Sequence, residues 1–330
     1  MPAYRAFGLV IEADREIPAL SGVEVSSHES VDISVELTGA GPWDDLEPGE
    51  SDWHESVPDD VGHVLRVTRF PSGGFRFAYR DGIEFVVASD GNSVRARWPE
   101  DLTLEDTVEY LLGPVIAFIL RMRGVVCLHA CAVVADGGDR CFAVMAPSGH
   151  GKSTIAAACA RQGLAVLTED VLALEYCAGE FWATPAYPRI RLWPQAVDGL
   201  FGSPEALPRI TPQNETWDKR YLDLDAPGFA YQRTPLPLAA IYTPECDEIS
   251  PSMVEFLPAS EALVRLIGNV YSRCRPTSAQ RAREFAFLER VARNVPVKRY
   301  RGRYGFEHLN DRCALLHADC LETTSAAEPA

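Results

Sequence analysis

The chain is short of positive charge. Against 31 Lys and Arg stand 47 Asp and Glu in 330 residues, a formal net charge of -16 at pH 7. A field of that sign repels nucleic acid and anionic membranes in general, which argues against both as partners. Long apolar runs are missing as well. The most apolar helical stretch, Val115 to Leu120, is far too short to cross a bilayer. The opening Met1-Pro-Ala-Tyr-Arg-Ala-Phe7 lacks the apolar core of a signal peptide. There is no CxxC pair, and the nine cysteines are odd in number with several inside apolar runs. This favours buried free thiols in a reducing cytoplasm over a disulfide framework. Cys127 and Cys131 bracket His129, but no second ligand pair of suitable spacing follows, so no zinc site is expected.

What is present is an ordinary globular composition, 47% hydrophobic, on a chain long enough for one large domain or two modest ones. The first hundred residues read as short strands: Phe7–Ile11, Val31–Leu37, Val64–Thr68, Phe75–Tyr79, Ile83–Val87 and Val94–Trp98. Turn signals such as Ser72-Gly-Gly74 and Asp81-Gly82 separate them, as in antiparallel hairpins. Acidic residues concentrate between Trp43 and Asp60, which reads as a solvated loop. Boundaries are expected at 1–103 for a β-rich N-terminal domain, 104–321 for a second domain, and 322–330 for a frayed tail.

From Leu104 to Met122 the period becomes helical, with Gly113-Pro114 able to kink the helix. Strands are expected over Val125–Val134 and Cys141–Met145, joined by the turn Asp136-Gly-Gly-Asp139. An alanine-rich helix, Ser153–Gln162, follows and is ended by Gly163. Leu164–Leu167 is a buried strand running into Glu169-Asp170, and Val171–Glu175 with Glu180–Thr184 form a hairpin. Arg189–Pro237 is proline-rich and reads as irregular, suited to substrate-facing loops. Leu238–Tyr242 and Val295–Tyr300 read as strands, and Ser260–Ile267 and Ala279–Asn294 as helices.

The segment Ala146-Pro-Ser-Gly-His-Gly-Lys-Ser153 lies between a strand and a helix. It follows GxxxxGK[ST], with Ala146 in place of the first glycine. In such a loop, backbone N–H groups wrap phosphate oxygens and the lysine, here Lys152, reaches the outer phosphates. The hydroxyl residue, Ser153, ligates magnesium. Ser148, Gly149, His150, Gly151, Lys152, Ser153 and Thr154 are therefore the candidate nucleotide contacts, with His150 expected to face solvent. If the next strand lies parallel in the same sheet, Glu169 and Asp170 open beside those phosphates. One can hold magnesium while the other takes the proton of an attacking hydroxyl. His129, on the strand before the loop, is a third candidate. Arg189 with Arg191, and Lys219 with Arg220, are candidate cations for the transferring phosphoryl group.

Leu128-His129-Ala130, then Ser148-Gly-His-Gly-Lys-Ser153, then Glu169-Asp170 one helix later resemble the HPr kinase/phosphorylase family. The match looks closest to its shorter relatives, the HPr-kinase-like serine kinases of bacterial peptide-modifying pathways, including lasso-peptide kinases. Tyr4–Leu9, Tyr187–Pro194, Lys219-Arg220 and Val295–Val297 echo the same group. The resemblance implies an α/β P-loop kinase core of the HPr kinase/PEP carboxykinase-like type, using ATP and Mg2+. It implies a serine on a peptide or small protein as acceptor. Glu169 takes the place of the family's catalytic aspartate, Asp170 that of its neighbour near the metal, and His129 that of the histidine beside the transferred phosphate. The chain departs from the family in having Glu-Asp for Asp-Asp and in lacking the second downstream signature of HPr kinases proper. Those kinases form hexamers, which leaves a homo-oligomer open here. Two other readings stay open: a nucleotide-sensing module without transfer, and a kinase of a small molecule such as free serine.

Overall fold

The alternation in the first hundred residues becomes an eight-stranded sheet. Its strands are β1 (Ala3–Ala6), β2 (Leu9–Ala13), β3 (Ile33–Leu37), β4 (Glu55–Pro58), β5 (Val64–Arg69), β6 (Phe75–Tyr79), β7 (Glu84–Val87) and β8 (Ser93–Arg97). They lie in the order β1-β2-β3-β8-β7-β6-β5-β4. From β4 to β8 each strand pairs antiparallel with the next, while β3 pairs parallel with both β2 and β8. Along β3, Ile33, Val35 and Leu37 are buried and Ser34 and Glu36 are exposed, the period of a sheet with one dry face. The computed structural model describes residues 1–26, 28–39, 55–58, 64–135, 138–211, 217–247, 251–271 and 277–325. Within the acidic stretch Trp43–Asp60, Glu55–Pro58 is thus strand rather than loop. The rest of that stretch, and the start of the Asp136–Asp139 turn, lie outside the described residues.

A capping box opens α1 (Leu104–Tyr110). Thr103 accepts from the Asp106 N–H, and the Asp106 carboxylate accepts from the Thr103 N–H. A π-helical turn over Leu111–Val115 contains Gly113 and Pro114, and α2 (Ile116–Met122) continues from it. Proline has no N–H to give to the ladder, which accounts for the bulge at this point. Both helices are fixed to the first sheet. Tyr110 stacks on Tyr79 with centroids 3.9 Å apart and donates to Asp81 at 2.7 Å. Phe118 meets Phe75 and Phe77 edge-on at 4.8 and 5.0 Å.

The remaining elements are β9 (Val126–Val134), β10 (Cys141–Met145), α3 (Lys152–Arg161), β11 (Val166–Thr168), β12 (Val171–Cys177), β13 (Glu180–Thr184), β14 (Arg189–Leu192), α4 (Pro194–Phe201), β15 (Arg220–Asp223), β16 (Leu236–Asp247), β17 (Met253–Phe256), α5 (Ala259–Gly268), α6 (Ser278–Asn294), β18 (Val297–Arg303) and α7 (Leu309–Ser325). The chain is mixed α/β. Arg189–Pro237, read as irregular, holds β14, α4 and β15, with Pro194 at the start of its helix where a missing N–H costs nothing. Glu322–Ser325, read as tail, continue α7.

The second large sheet runs β10-β9-β12-β13-β16-β18-β17, with β11 also on β9 and β10 also on β16. The expectation of a parallel arrangement around the loop is corrected here. β9 is antiparallel to β10 along one edge and to β11 and β12 along the other. β10, β16 and β18 are parallel to one another. Because β10 and β11 are each antiparallel to β9, they still point the same way and end on one edge. Every residue of β10 is buried. Its side chains and those of β9 divide alternately between two core clusters, Cys131, Val133, Phe142 and Val144 in one and Ala130, Ala132, Ala143 and Met145 in the other. A strand covered on both faces needs this continuous apolar run. Among the described residues, no helix is long and apolar enough to cross a membrane.

Candidate functional site

The loop after β10 is held open by two glycines. Gly149 and Gly151 have φ of +76° and +82°, a region L side chains rarely adopt, and an added Cβ at either would meet nothing within 4 Å. Both therefore line free space. Ala146 does not need its glycine: among the described residues the non-glycine positive φ values belong to Phe7 and Ala178. Gly151 caps α3, whose first turn directs its free N–H groups into the same space. Lys152 is 5% exposed, and its ammonium donates to the carbonyls of Ala146 at 2.7 Å and Pro147 at 3.0 Å. His150 is exposed, as expected, with Nδ1 2.9 Å from the Ser148 carbonyl.

The carboxylates come to this loop through β9. Ala130 faces Met145, the last residue of β10, and its N–H donates to the Asp170 carbonyl at 3.0 Å. Glu169 and Asp170 occupy the break between β11 and β12, so the strand line bends there and turns both side chains toward the loop. Ser153 Oγ donates to Glu169 Oε2 at 2.7 Å. His129 Nε2 lies 2.9 Å from Asp170 Oδ1, and its ring meets Tyr271 edge-on at 5.5 Å. The structure brings His129, Ser153, Glu169 and Asp170 together.

Arg191 organises the pair. Its guanidinium bonds Glu169 through Nε, Asp170 through Nη2 at 2.8 Å, and Glu109 through Nη1 at 3.0 Å. Burial works against ionising Asp170, but Arg191, His129 and Lys219 outweigh it and hold its carboxyl well below the usual carboxylate range. Burial likewise opposes the Arg191 charge, and Glu169, Tyr187, Glu109 and Asp170 overcome it. Lys219 stands beside this group with its ammonium over the rings of Trp193 and Trp217, 5.1 and 5.4 Å from the centroids. Burial and then Arg191 push its ammonium down.

Two candidates are placed elsewhere. Arg189 shares the face of Arg191 on β14 but donates to the Pro18 carbonyl at 2.6 Å and lies over the Tyr221 ring. Arg220 points away from the loop and is tied to Asp218 at 2.8 Å and to the Leu207 carbonyl. The physical reason differs between the pairs: Arg189 stands two residues, about 7 Å, along β14 from Arg191 and so reaches Pro18 instead. In 219–220, adjacent residues take opposite faces, so one cation reaches the site and its neighbour is structural.

Glu109 was missed by sequence reasoning. It lies in α1, some sixty residues before the acid pair, and the signal available was only an acid on a helix facing an otherwise apolar segment.

Glu169, Asp170, Arg191 and Lys219 line a cleft of about 560 Å³ that runs from His129 past the 148–154 loop to Tyr304 and Phe306, a size suited to a small organic ligand. Oxygen donors from Ser153, Glu169 and Asp170 fit Mg2+, which keeps several waters and takes one or two carboxylates plus phosphate oxygens. Among the described residues no group of three or more His, Cys, Asp or Glu could hold a metal by itself.

No family model matches the chain. Nor does any curated protein. Among solved structures, the chain is similar to that of the Hpr(Ser) kinase/phosphatase from Coxiella burnetii, at 13% sequence identity and a TM-score of 0.33. The alignment covers 60% of this chain and 98% of that one.

Proposed function

We propose that this chain is an ATP-dependent kinase that phosphorylates a serine hydroxyl on a peptide or small protein. One observation carries the reading. The first helical turn of a glycine-opened loop is hydrogen-bonded, through Ser153, to a carboxylate whose neighbour Asp170 is paired with His129 and faces the same cleft. A site that only held a nucleotide would not need an ionised, histidine-paired carboxylate beside the outer phosphates.

The loop amides and Lys152 bind the triphosphate and offset its charge. Bound Mg2+ would be held by Ser153 and Glu169 and would neutralise charge on the β- and γ-phosphates. The hydrogen bonds favour a division of labour opposite to the one the resemblance implies. Both carboxylates have both oxygens engaged, Asp170 by His129 and Arg191, but Glu169 is the one bonded to Ser153 and is 4% exposed, so it suits the metal side. Asp170 has a side chain 20% exposed and suits the acceptor side. The serine oxygen forms a bond to the γ-phosphorus as the bond to ADP breaks, and Asp170 takes the hydroxyl proton. His129 and Lys219 steady the charge around that carboxylate. The precursor peptide of a lasso-peptide pathway is the acceptor that the sequence resemblance favours, and the cytoplasm is the compartment that ATP use implies.

The test is incubation with Mg2+ and ATP together with serine-bearing peptides, a lasso precursor peptide and free serine, read by mass spectrometry. The expected result is addition of one phosphate to a peptide serine. Phosphorylation of free serine alone would make it a small-molecule kinase. ATP binding with no acceptor modified would make it a nucleotide sensor.

A further inference from the structure

The cleft continues beyond what the phosphates and the acceptor need. The acid pair ends β11, two strands to one side of β10. Tyr304 and Phe306 follow β18, two strands to the other side, across β16. β10, β16 and β18 are parallel, so all three end on the edge that carries the loop. The phosphate loop therefore lies between the carboxylates and an aromatic end, each offset by two strands, about 10 Å across the sheet, with β18 running further along than β10.

That aromatic end is built by two glycines. Gly305 adopts φ +109°, open in practice to glycine alone, and sets the turn that carries Tyr304 and Phe306. Gly199 of α4 gives Phe306 its place, since a Cβ there would lie 2.5 Å from the ring. Phe306 stays 38% exposed and Tyr304 58%. Arg312, 7% exposed, also lines this end; it donates through Nη2 to the Arg303 carbonyl at 2.6 Å, and its Nε has no hydrogen-bond partner among the described residues.

We infer that this end of the cleft is the nucleobase subsite, in which Phe306 and Tyr304 stack on the base of the nucleoside triphosphate. The assignment rests on the nucleotide reading above and adds where the base lies. Stacking fits because rings offer a flat apolar face to any base without reading its edge. Continuity fits because a nucleotide whose γ-phosphate meets Asp170 and whose middle phosphates fill the loop extends away from the acids, toward β18.

The test compares ATP with inorganic tripolyphosphate on the full chain by titration calorimetry in Mg2+. The wild type is expected to bind ATP more tightly than tripolyphosphate. Phe306→Ala should weaken ATP about tenfold and leave tripolyphosphate unchanged, which also shows that the variant is folded. Gly199→Ala, which favours its helix but displaces the Phe306 ring, should do the same. Equal affinity of the wild type for both ligands, or an equal loss for both in the variants, would overturn the subsite and leave the phosphate loop standing. Binding of neither ligand by the wild type would overturn the nucleotide reading and the subsite with it.

Discussion

Ser153 Oγ and Glu169 Oε2 stand 2.7 Å apart, joining the first turn of α3 to the break between β11 and β12. The bond spans the two elements that must act on one triphosphate. Glu169→Gln keeps the shape and one acceptor oxygen but removes the charge. The variant should fold and bind ATP, need more Mg2+ for half-maximal rate, and transfer phosphate roughly 10²-fold more slowly. Asp170→Asn should lose about 10²–10⁴-fold in kcat with its Mg2+ requirement unchanged. Mg2+ titrations of both variants separate the roles, and a reversed pattern would return the base to Glu169.

Arg191 is 9% exposed and is bonded by Glu109, Glu169 and Asp170. Removing it leaves three carboxylates facing one another without their shared cation. Arg191→Met should destabilise the fold by about 3–5 kcal/mol, the usual cost of breaking a buried ion pair from one side. Glu109→Gln should cost far less, because Arg191 keeps two partners. Thermal denaturation of the two variants checks the order, and equal midpoints would show that Arg191 does not hold the cluster together.

How much of this was legible depended on whether the information was local. The loop could be read because strand, glycines, Lys152, Ser153 and helix are consecutive, and the acid pair because it lies one helix further on. Cys141–Met145, Phe75–Tyr79 and Glu180–Thr184 matched their strands residue for residue, each being a short apolar or alternating run between turn signals. The hairpin of β9 and β10 was legible from its turn, but the pairing of β9 with β11 and β12 was not, because an apolar run buried on both faces has the same pattern whether its neighbours are parallel or antiparallel. β14 and β15 were lost among prolines, since runs of four residues are too short to establish a period. In α7, Leu309, Cys313, Leu316 and Cys320 are buried at helical spacing, a stripe weakened by two cysteines that read as scattered thiols. Glu109 was out of reach because only the tertiary fold brings α1 to Arg191.

Gly151 offers a test of the loop that separates backbone strain from ligand exclusion. At φ +82° with nothing within 4 Å of an added Cβ, alanine meets no clash. Gly151→Ala should therefore cost only the left-handed penalty, about 1–2 kcal/mol. Its methyl group would project into the space where phosphate oxygens approach the α3 amides. ATP and tripolyphosphate should both bind at least tenfold more weakly, by roughly 1.4 kcal/mol or more, while the unfolding midpoint falls by only a few degrees. Retained affinity for both would show that the anion does not sit against these amides.

The last prediction concerns pH, and its sign follows from proton counts. Asp170 has a folded pKa below its unfolded value. Between the two, the unfolded chain binds a proton that the native chain does not, so stability rises with pH. The contribution is complete above the unfolded carboxylate value of about 3.9 and disappears as the pH falls through the lower folded value. Lys219 also has a folded pKa below its unfolded value. There too the native chain binds fewer protons within the window, so stability rises again as the pH approaches the unfolded lysine value of about 10.4. The two residues should thus leave two separate rises in the denaturation midpoint, one acidic and one alkaline. Asp170→Asn should remove the first and leave the second in place but larger, since losing the Asp170 charge lets the folded Lys219 pKa fall further below its unfolded value. Lys219→Met should remove the second and raise the folded pKa of Asp170 by taking away one of its cations, moving the acid rise to higher pH. Urea denaturation of the three proteins across the pH range measures both limbs. An acid limb unchanged in Asp170→Asn would mean that this carboxylate is not held ionised by its neighbours, and the case for its catalytic charge would go with it.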